Sequence, residues 1–380
     1  MPCYHPLIRV VTGVTPDGKE RARVLPMPSD LRPGFHQAVR FVGDSHAEPC
    51  MPYLEEAYEF QVIPCGKCLG CRMEYSRQWA NRMLMEKEYH DTCYFVTVTY
   101  DDCHLRPVSF VSENTGEVVT NYTLSKRDSQ LFLKRLRAQC PNDAIRFFMC
   151  GEYGDRTWRP HMHYILFGLH LPDLQSVITS DPYPHFHSDI LQRAWSERIV
   201  SSDSKGSDTP LDDDSKKRKK KKSKSEKKVT YIPIGLIDIQ DATWSSMSYV
   251  ARYIMKKQLG PSGRDFYDRM HIQAPFVLMS RRPGIGRQWY EDHPGCFDFD
   301  FINVRTPEGG KKFRPPKYFN DLFDVDYPEE SAEFKAHRQR LSEEFVKAKL
   351  ERTDLSYLDY LQIEEDRLKH RTSSLLREEI

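Results

Sequence analysis

The chain has 380 residues, with 56 Lys and Arg against 55 Asp and Glu, for a formal net charge of +1. That length supports two modest domains, or one domain with extensions, and a core of useful size. No stretch is apolar for long enough to span a bilayer, residues 1–19 lack the apolar run of a secretory signal, and the 10 cysteines of a cytosolic chain would be reduced thiols or metal ligands rather than disulfides.

Residues 1–64 are rich in Pro and Gly and carry little periodicity. A helical pattern runs from about Cys71 to Tyr89, with Trp79, Met83 and Met85 at its apolar positions. Thr92 to Tyr100 reads as a buried strand. Ser125 opens a helix whose apolar stripe is Leu131, Phe132 and Leu136 and whose wet side carries Arg127, Lys134, Arg135 and Arg137. Ile145 to Cys150 and His161 to Phe167 read as two strands of an antiparallel hairpin closed by a loop of about seven residues. The spacing predicts a helix from about Asp189 to Arg198, a strand over Ile232 to Ile239, a helix over Trp244 to Gln258, and charged amphipathic helix from about Pro328 onward. Between them, the stretch at about 201–228 has no apolar pattern and reads as a Lys-rich disordered insertion. The expected divisions are an N-terminal extension (1–72), a central domain (73–290) and a C-terminal, mostly helical extension (291–380).

His161 and His163 carry the chemistry of the central domain. Side chains alternate across a strand, so the two imidazoles share one face. Antiparallel pairing brings Glu152, at the end of the preceding strand, near His161, within reach of one ion if it faces the same way. Two imidazoles and a carboxylate leave coordination positions open, which suits a catalytic ion. Mixed N/O ligation fits Mn²⁺, or Mg²⁺ that retains several waters. The plainer reading is a pair of surface histidines.

Tyr249 and Tyr253 are four residues apart on the predicted helix and share a face, and each is followed three residues later by a cation, Arg252 and Lys256. A phenol with a pKa near ~10 is a poor nucleophile at neutral pH, and a nearby cation favours its ionised form. The alternative is a pair of core-facing aromatics.

Cys65, Cys68 and Cys71 form a dense C-x-x-C-x-x-C set that points to a bound ion, most simply structural Zn²⁺. No fourth ligand is local, and Cys3 or His5 is a distant partner for it. Unliganded thiols and an iron–sulfur cluster are the alternatives, although Tyr75 stands where a fourth nearby cysteine would complete the latter. The other six cysteines read as packing residues. Arg281, Arg282 and Arg287 lie among Pro283, Gly284 and Gly286 and are candidates for DNA-backbone contact, with Lys126 and Arg127 as weaker ones. Tyr153 and Trp158 either stack on unpaired bases or pack under the hairpin. The Lys block at 216–228 either grips phosphates or is a solvated loop.

Taken together, FVTVTY, the His-Met-His strand and the Tyr-x-x-Lys helix resemble the HUH endonucleases of rolling-circle replication, and the tyrosine pair resembles their two-tyrosine subclass. The surrounding text is similar to replication initiators of the gokushovirus type (Microviridae). The matching stretches are Cys3-Tyr4-His5-Pro6-Leu7, PCGKCLGC at 64–71, LSKRDSQLFLKRLR at 124–137, GEYG at 151–154, RPHMHYILFG at 159–168 and MSRRPGIG at 279–286, spread over roughly residues 1–290. The resemblance implies an α+β fold: a central antiparallel β-sheet flanked by helices, with a Cys-rich N-terminal extension and a helical C-terminal tail. It implies that His161, His163 and Glu152 hold a divalent ion and that one tyrosine attacks origin DNA to give a 5′-phosphotyrosyl bond and a free 3′-hydroxyl. The second tyrosine would act on the regenerated origin, with Lys256 and Arg252 in support. The implied partners are single-stranded origin DNA and a host helicase and polymerase, since no G-x-x-x-x-G-K-[ST] is present; the implied location is the cytoplasm of a bacterial host. A plasmid initiator, transposase or relaxase of the same superfamily is the neighbouring reading. A non-catalytic zinc-stabilised nucleic-acid-binding protein and a metal hydrolase using water are the readings from other classes.

Overall fold

In the computed structural model of the chain, the described residues are 3–29, 31, 38–42, 46–50, 60–112, 115–154, 157–180, 182–201, 228–256, 260–306 and 309–372. Almost all of the predicted Lys-rich insertion lies outside them. They form two compact units: one of Met1–Asp91, Ala242–Phe266 and Pro275–Ile380, the other of Thr92–Asp241 and Tyr267–Ala274. The architecture is mixed α and β, with a large antiparallel sheet, flanking helices and a helical C-terminal tail.

In the second unit, six strands lie side by side in the order Gln175–Val177, His185–His187, Ile237–Asp241, Cys93–Thr99, Pro160–Phe167 and Arg146–Tyr153, each antiparallel to its neighbour. Cys93–Thr99 and Pro160–Phe167 are buried along nearly their whole length. Strands covered on both faces read as continuous apolar runs, which is why FVTV and YILF are conspicuous in the sequence. The helix Lys126–Gln139 covers one face: its Phe132 ring lies 5.0 Å from Tyr164, between centroids. Ser125 caps that helix by accepting a hydrogen bond from the Asp128 N–H at 3.2 Å.

Two predicted elements are corrected here. The helix expected to reach Arg198 stops at Ala194, and Ser196–Ser201 forms a hairpin with Lys228–Pro233. Arg198, Ile199 and Val200 pair across that hairpin with Tyr231, Thr230 and Val229, and such β-branched and aromatic partners fit a pleated surface better than a helix. The strand expected over Ile232 to Ile239 is two strands, broken around Gly235. At the break, Thr99 and Asp101 N–H groups donate to the carbonyls of Leu236 and Ile234, both at 3.0 Å.

In the first unit, a three-stranded sheet (Glu20–Pro26, Leu7–Val14, Phe60–Ile63) occupies a region where the sequence offers little periodicity. Its core is small, built on Ile8, Val10, Met27 and Leu31, and its first strand alternates buried and open positions only over Leu7–Val11. The long helix Leu69–Lys87 packs against the helix Trp244–Lys256. Met247, Val250 and Ala251, at helical spacing, are fully buried. Trp244 Nε1 donates to Asn81 Oδ1 at 3.1 Å, and Lys87 Nζ donates to the Ala242 carbonyl at 2.6 Å. Thr243 and Ser246 cap the start reciprocally, each hydroxyl accepting from the other's backbone N–H.

Gly235 offers a direct test of the sheet's packing. A Cβ there would lie 2.1 Å from the Thr99 carbonyl oxygen and 2.8 Å from the Asp101 nitrogen. Both obstacles are backbone, so Gly235→Ala is expected to destabilise the chain by about 1–3 kcal/mol, read as a lower denaturant midpoint at unchanged slope.

Candidate functional site

The hairpin register sets the site. His161 faces Glu152 on one side and Thr99 on the other; His163 faces Cys150 and Thr97. Residues directly opposite in an antiparallel pair share a face, so Glu152, His161, His163 and Thr97 all project to the side away from Tyr164. One ligand atom from each of Glu152, His161 and His163 lies within 4.8 Å of the others. Glu152 Oε1 is 2.8 Å from His161 Nε2 and 3.2 Å from His163 Nε2. Glu152 is only 5 % exposed and His163 4 %.

The imidazoles are held from behind. His161 Nδ1 donates to the Arg159 carbonyl at 3.1 Å. Arg159 is itself fixed to the end of the central strand, donating to Asp102 Oδ1 at 2.6 Å and to the Tyr100 carbonyl at 2.9 Å. His163 Nδ1 lies 2.9 Å from Thr97 Oγ1, and its ring stacks on Phe95 at 5.6 Å. With Nδ1 engaged on each ring, the Nε2 lone pairs of the neutral imidazoles converge on the Glu152 oxygen, where a cation would accept all three, an arrangement typical of metal-ligating histidines. Glu152 Oε2 is buried with no hydrogen-bond partner. A carboxylate oxygen left unpaired in a buried setting costs free energy, and a cation among these three side chains would remove that cost. The donor set therefore fits a divalent ion. Burial pushes the Glu152 carboxyl up, but the hydrogen bonds and charge of His161 and His163 outweigh it and hold the group below the ordinary carboxylate range.

Thr97 and Arg159 escape a sequence reading because each acts through a neighbour. The signal is positional: Thr97 sits at the strand step facing a histidine, and Arg159 is two residues before one. Asp238 continues the same face beyond Thr97 and pairs with His185 Nδ1. Tyr153 takes the packing alternative. It is buried, its hydroxyl donating to the Gln273 carbonyl at 2.7 Å and accepting from the Leu124 N–H at 3.1 Å. Trp158, half-buried in the hairpin loop, lies 5.8 Å from it and has a left-handed φ of 53°.

Tyr249, in the first unit, is 39 % exposed, against the fully buried Met247, Val250 and Ala251 of the same helix. That exposure argues against the core-facing alternative for this ring. The Arg252 guanidinium carbon is 5.6 Å from its centroid. The side chains of Tyr253 and Lys256 lie outside the described residues. Arg281 and Arg282 are exposed, and so are Lys126 and Arg127 at the start of their helix. Arg287 is half-buried and donates to Glu291 Oε1 at 2.6 Å.

Cys65, Cys68 and Cys71 are joined by Cys3, with all four sulfurs within 4.8 Å of one another. His5, the other distant candidate, pairs instead with Glu365 at 2.8 Å. The hydrogen bond between Cys3 and Cys68 draws the Cys68 thiol down and pushes the Cys3 thiol up. Among the remaining cysteines, Cys93 and Cys150 are buried as expected, whereas Cys103 is exposed beside Asp101 and His104.

Because the folded pKa of Glu152 lies below its ordinary value of 4.5, the carboxylate contributes stability above that pH and loses it as pH falls through the lower folded value. In chelator, the unfolding midpoint of Glu152→Gln is expected to fall less steeply with acid than that of the native chain; parallel curves would contradict this.

The family model for "Replication-associated protein ORF2/G2P" matches residues 93–258, which include the metal-ligand cluster and the tyrosine helix. The chain is 28 % identical over 327 residues to the replication-associated protein ORF2 of Spiroplasma virus 4, covering 83 % of this chain and 85 % of that one. It is 25 % identical over 293 residues to the replication-associated protein VP4 of Bdellovibrio phage phiMH2K, covering 75 % of each. It is 26 % identical over 294 residues to the replication-associated protein ORF4 of Chlamydia phage 1, covering 73 % of this chain and 59 % of that one. No solved structure matches. These matches support a replication initiator of the gokushovirus type, and the chain is similar to the phage replication-associated proteins along most of its length.

Proposed function

We propose that this chain nicks and rejoins single-stranded origin DNA by tyrosine transesterification, initiating rolling-circle replication in the cytoplasm of a bacterial host. The observation that carries the reading is the convergence of Glu152, His161 and His163, with a buried, unpartnered Glu152 oxygen, in a chain similar to these phage proteins. No helix among the described residues is long and apolar enough to cross a membrane.

His161, His163 and Glu152 would hold Mn²⁺ or Mg²⁺, which when bound polarises the scissile phosphate as a Lewis acid. Thr97 and Arg159 keep the two imidazoles turned so that Nε2 faces that ion. A phenol oxygen of Tyr249 or Tyr253 attacks the phosphorus. The bond to the 3′ oxygen breaks, the 3′-hydroxyl takes up a proton, and the 5′ phosphate stays on the tyrosine. The number of phosphate ester bonds is conserved, so rejoining needs no nucleotide hydrolysis. Arg252 supplies positive charge beside the attacking ring, and Lys256 would act likewise. The second tyrosine cleaves the regenerated origin while the first strand end is rejoined into a circle. Arg281 and Arg282, with Lys126 and Arg127, would contact the DNA backbone, whereas Arg287 is already paired to Glu291. A host polymerase extends the 3′-hydroxyl and a host helicase unwinds the duplex.

The test is to incubate the protein, Mn²⁺ and labelled single-stranded origin DNA and to resolve the products on denaturing gels. Native protein is expected to form a covalent adduct, each single Tyr→Phe change at 249 or 253 to retain some of it, and the double change to abolish it. Cleavage without an adduct would favour a water-using hydrolase; binding with no cleavage would favour the non-catalytic reading.

Thr97→Val gives a second, activity-independent check. Removing the partner of His163 Nδ1 is expected to weaken Mn²⁺ binding about 10–100-fold, measured by titration with electron paramagnetic resonance. Unchanged affinity would remove Thr97 from the positioning role.

A further inference from the structure

Cys3, Cys65, Cys68 and Cys71 are drawn together from positions more than sixty residues apart, and the proposed nicking chemistry does not use them. The geometry of the four sulfurs is informative. The Cys3 and Cys68 sulfurs are 3.9 Å apart. A disulfide needs about 2.05 Å between sulfurs. A tetrahedral ion with metal–sulfur bonds of about 2.3 Å sets every sulfur–sulfur edge at about 3.8 Å.

Backbone N–H groups are aimed at three of the sulfurs. The N–H of Cys65 donates to Cys3 Sγ at 3.2 Å, and those of Lys67 and Cys68 donate to Cys65 Sγ at 3.4 and 3.3 Å. The Tyr4 N–H donates to Cys68 Sγ at 3.4 Å. Cys68 stands at the N-cap of the helix Leu69–Lys87 without capping it, and the first turn carries no acidic residue. The positive end of the helix is thereby left facing the sulfur cluster. Around it lies an apolar shell: Tyr4, Leu69, Leu361 and Leu368 share one buried cluster with Cys68, and Cys3, Cys65 and Cys71 pack against it. Two of these, Leu361 and Leu368, come from the C-terminal helix Tyr357–Thr372, whose buried Glu365 is also the partner of His5.

We propose that Cys3, Cys65, Cys68 and Cys71 hold a structural zinc ion, and that this ion fastens the N-terminal segment and the C-terminal helix to the start of the helix Leu69–Lys87. Four thiol protons pass to solvent on binding, zinc keeps its oxidation state, and the resulting double negative charge is met by the backbone N–H groups named above. Four protein ligands close the coordination sphere, so the site stabilises and takes no substrate. This inference does not rest on the nicking reading.

The test uses the full chain. Elemental analysis of the purified protein is expected to give about one zinc per chain, falling to background in the Cys65→Ser/Cys68→Ser double variant and unchanged in His5→Ala. Cobalt exchanged into the native chain should give a tetrathiolate absorption spectrum, and Cys3→Ser should shift it toward three thiolates. Misfolding of the serine variants would not blunt the test, because zinc is also stripped from the native chain with chelator and then restored. Stripping should raise hydrogen exchange at residues 4–14 and 357–372 and expose the four cysteines to alkylation; restoring zinc should reverse both. Iron in place of zinc, a disulfide, or free alkylation of all four cysteines in the untreated protein would overturn the assignment. Bound zinc whose removal leaves residues 357–372 equally protected would overturn the fastening role.

Discussion

The candidate site depends on one register. Glu152 meets His161 because Arg146–Tyr153 and Pro160–Phe167 pair with those two residues directly opposite. A slip of one residue would send the carboxylate to the opposite face, among the side chains under the helix Lys126–Gln139, where a charge would have no partner. The apolar pattern resists such a slip. Met162, Tyr164 and Leu166 must stay on the Tyr164 face for Phe132 to pack on it, and both strands are buried almost throughout. The convergence of Glu152, His161 and His163 is thus held by packing on the opposite face of the sheet, where Phe132 meets Tyr164.

The tyrosine helix obeys a different logic. Its buried stripe of Met247, Val250 and Ala251 anchors it to the helix Leu69–Lys87, and its capping pair fixes where it starts. Tyr249 falls off that stripe, with its ring 39 % exposed and the Arg252 guanidinium beside it. Its exposure leaves the ring open to solvent, as the proposed role as nucleophile requires.

Much of this was legible in the sequence. The central strands, the helix opened by Ser125 and the hairpin follow from apolar pattern, capping residue and turn length, whereas the facing of Glu152 toward His161 stays conditional until the register is seen. Cys3 was one of two candidates for the fourth cysteine ligand, and only the fold separates it from His5, because the choice turns on where Glu365 lies some 360 residues away. The N-terminal strands are not legible in the sequence: LIRVVTGV and FQVI are apolar but do not alternate, and they lie about fifty residues apart, so pairing between Leu7–Val14 and Phe60–Ile63 supplies the order that local pattern does not. The helix after Asp189 was overextended because Arg198 to Val200 are compatible with either state until the Lys228–Pro233 partner arrives. Thr97 and Arg159 were invisible for a simpler reason. Threonine and arginine carry no motif of their own, and their role appears only once the imidazoles have a direction.

The two metal-ligand sets differ in donor chemistry, and the difference separates their work. Four sulfurs make a soft, closed set that excludes water and substrate and offers a metal no reactive position. Two imidazole nitrogens and a carboxylate make a harder, incomplete set, which must be completed from solvent or substrate and so can meet a phosphate oxygen. The closed set lies where the chain's most distant segments meet and where the local apolar core is small, a place where a metal adds most to stability. The open set lies on strands buried along nearly their whole length, where Thr97 and the Arg159 carbonyl already hold the two imidazoles. The proposed structural ion and the proposed catalytic ion would therefore fall to different residues, with no ligand shared between the two sets.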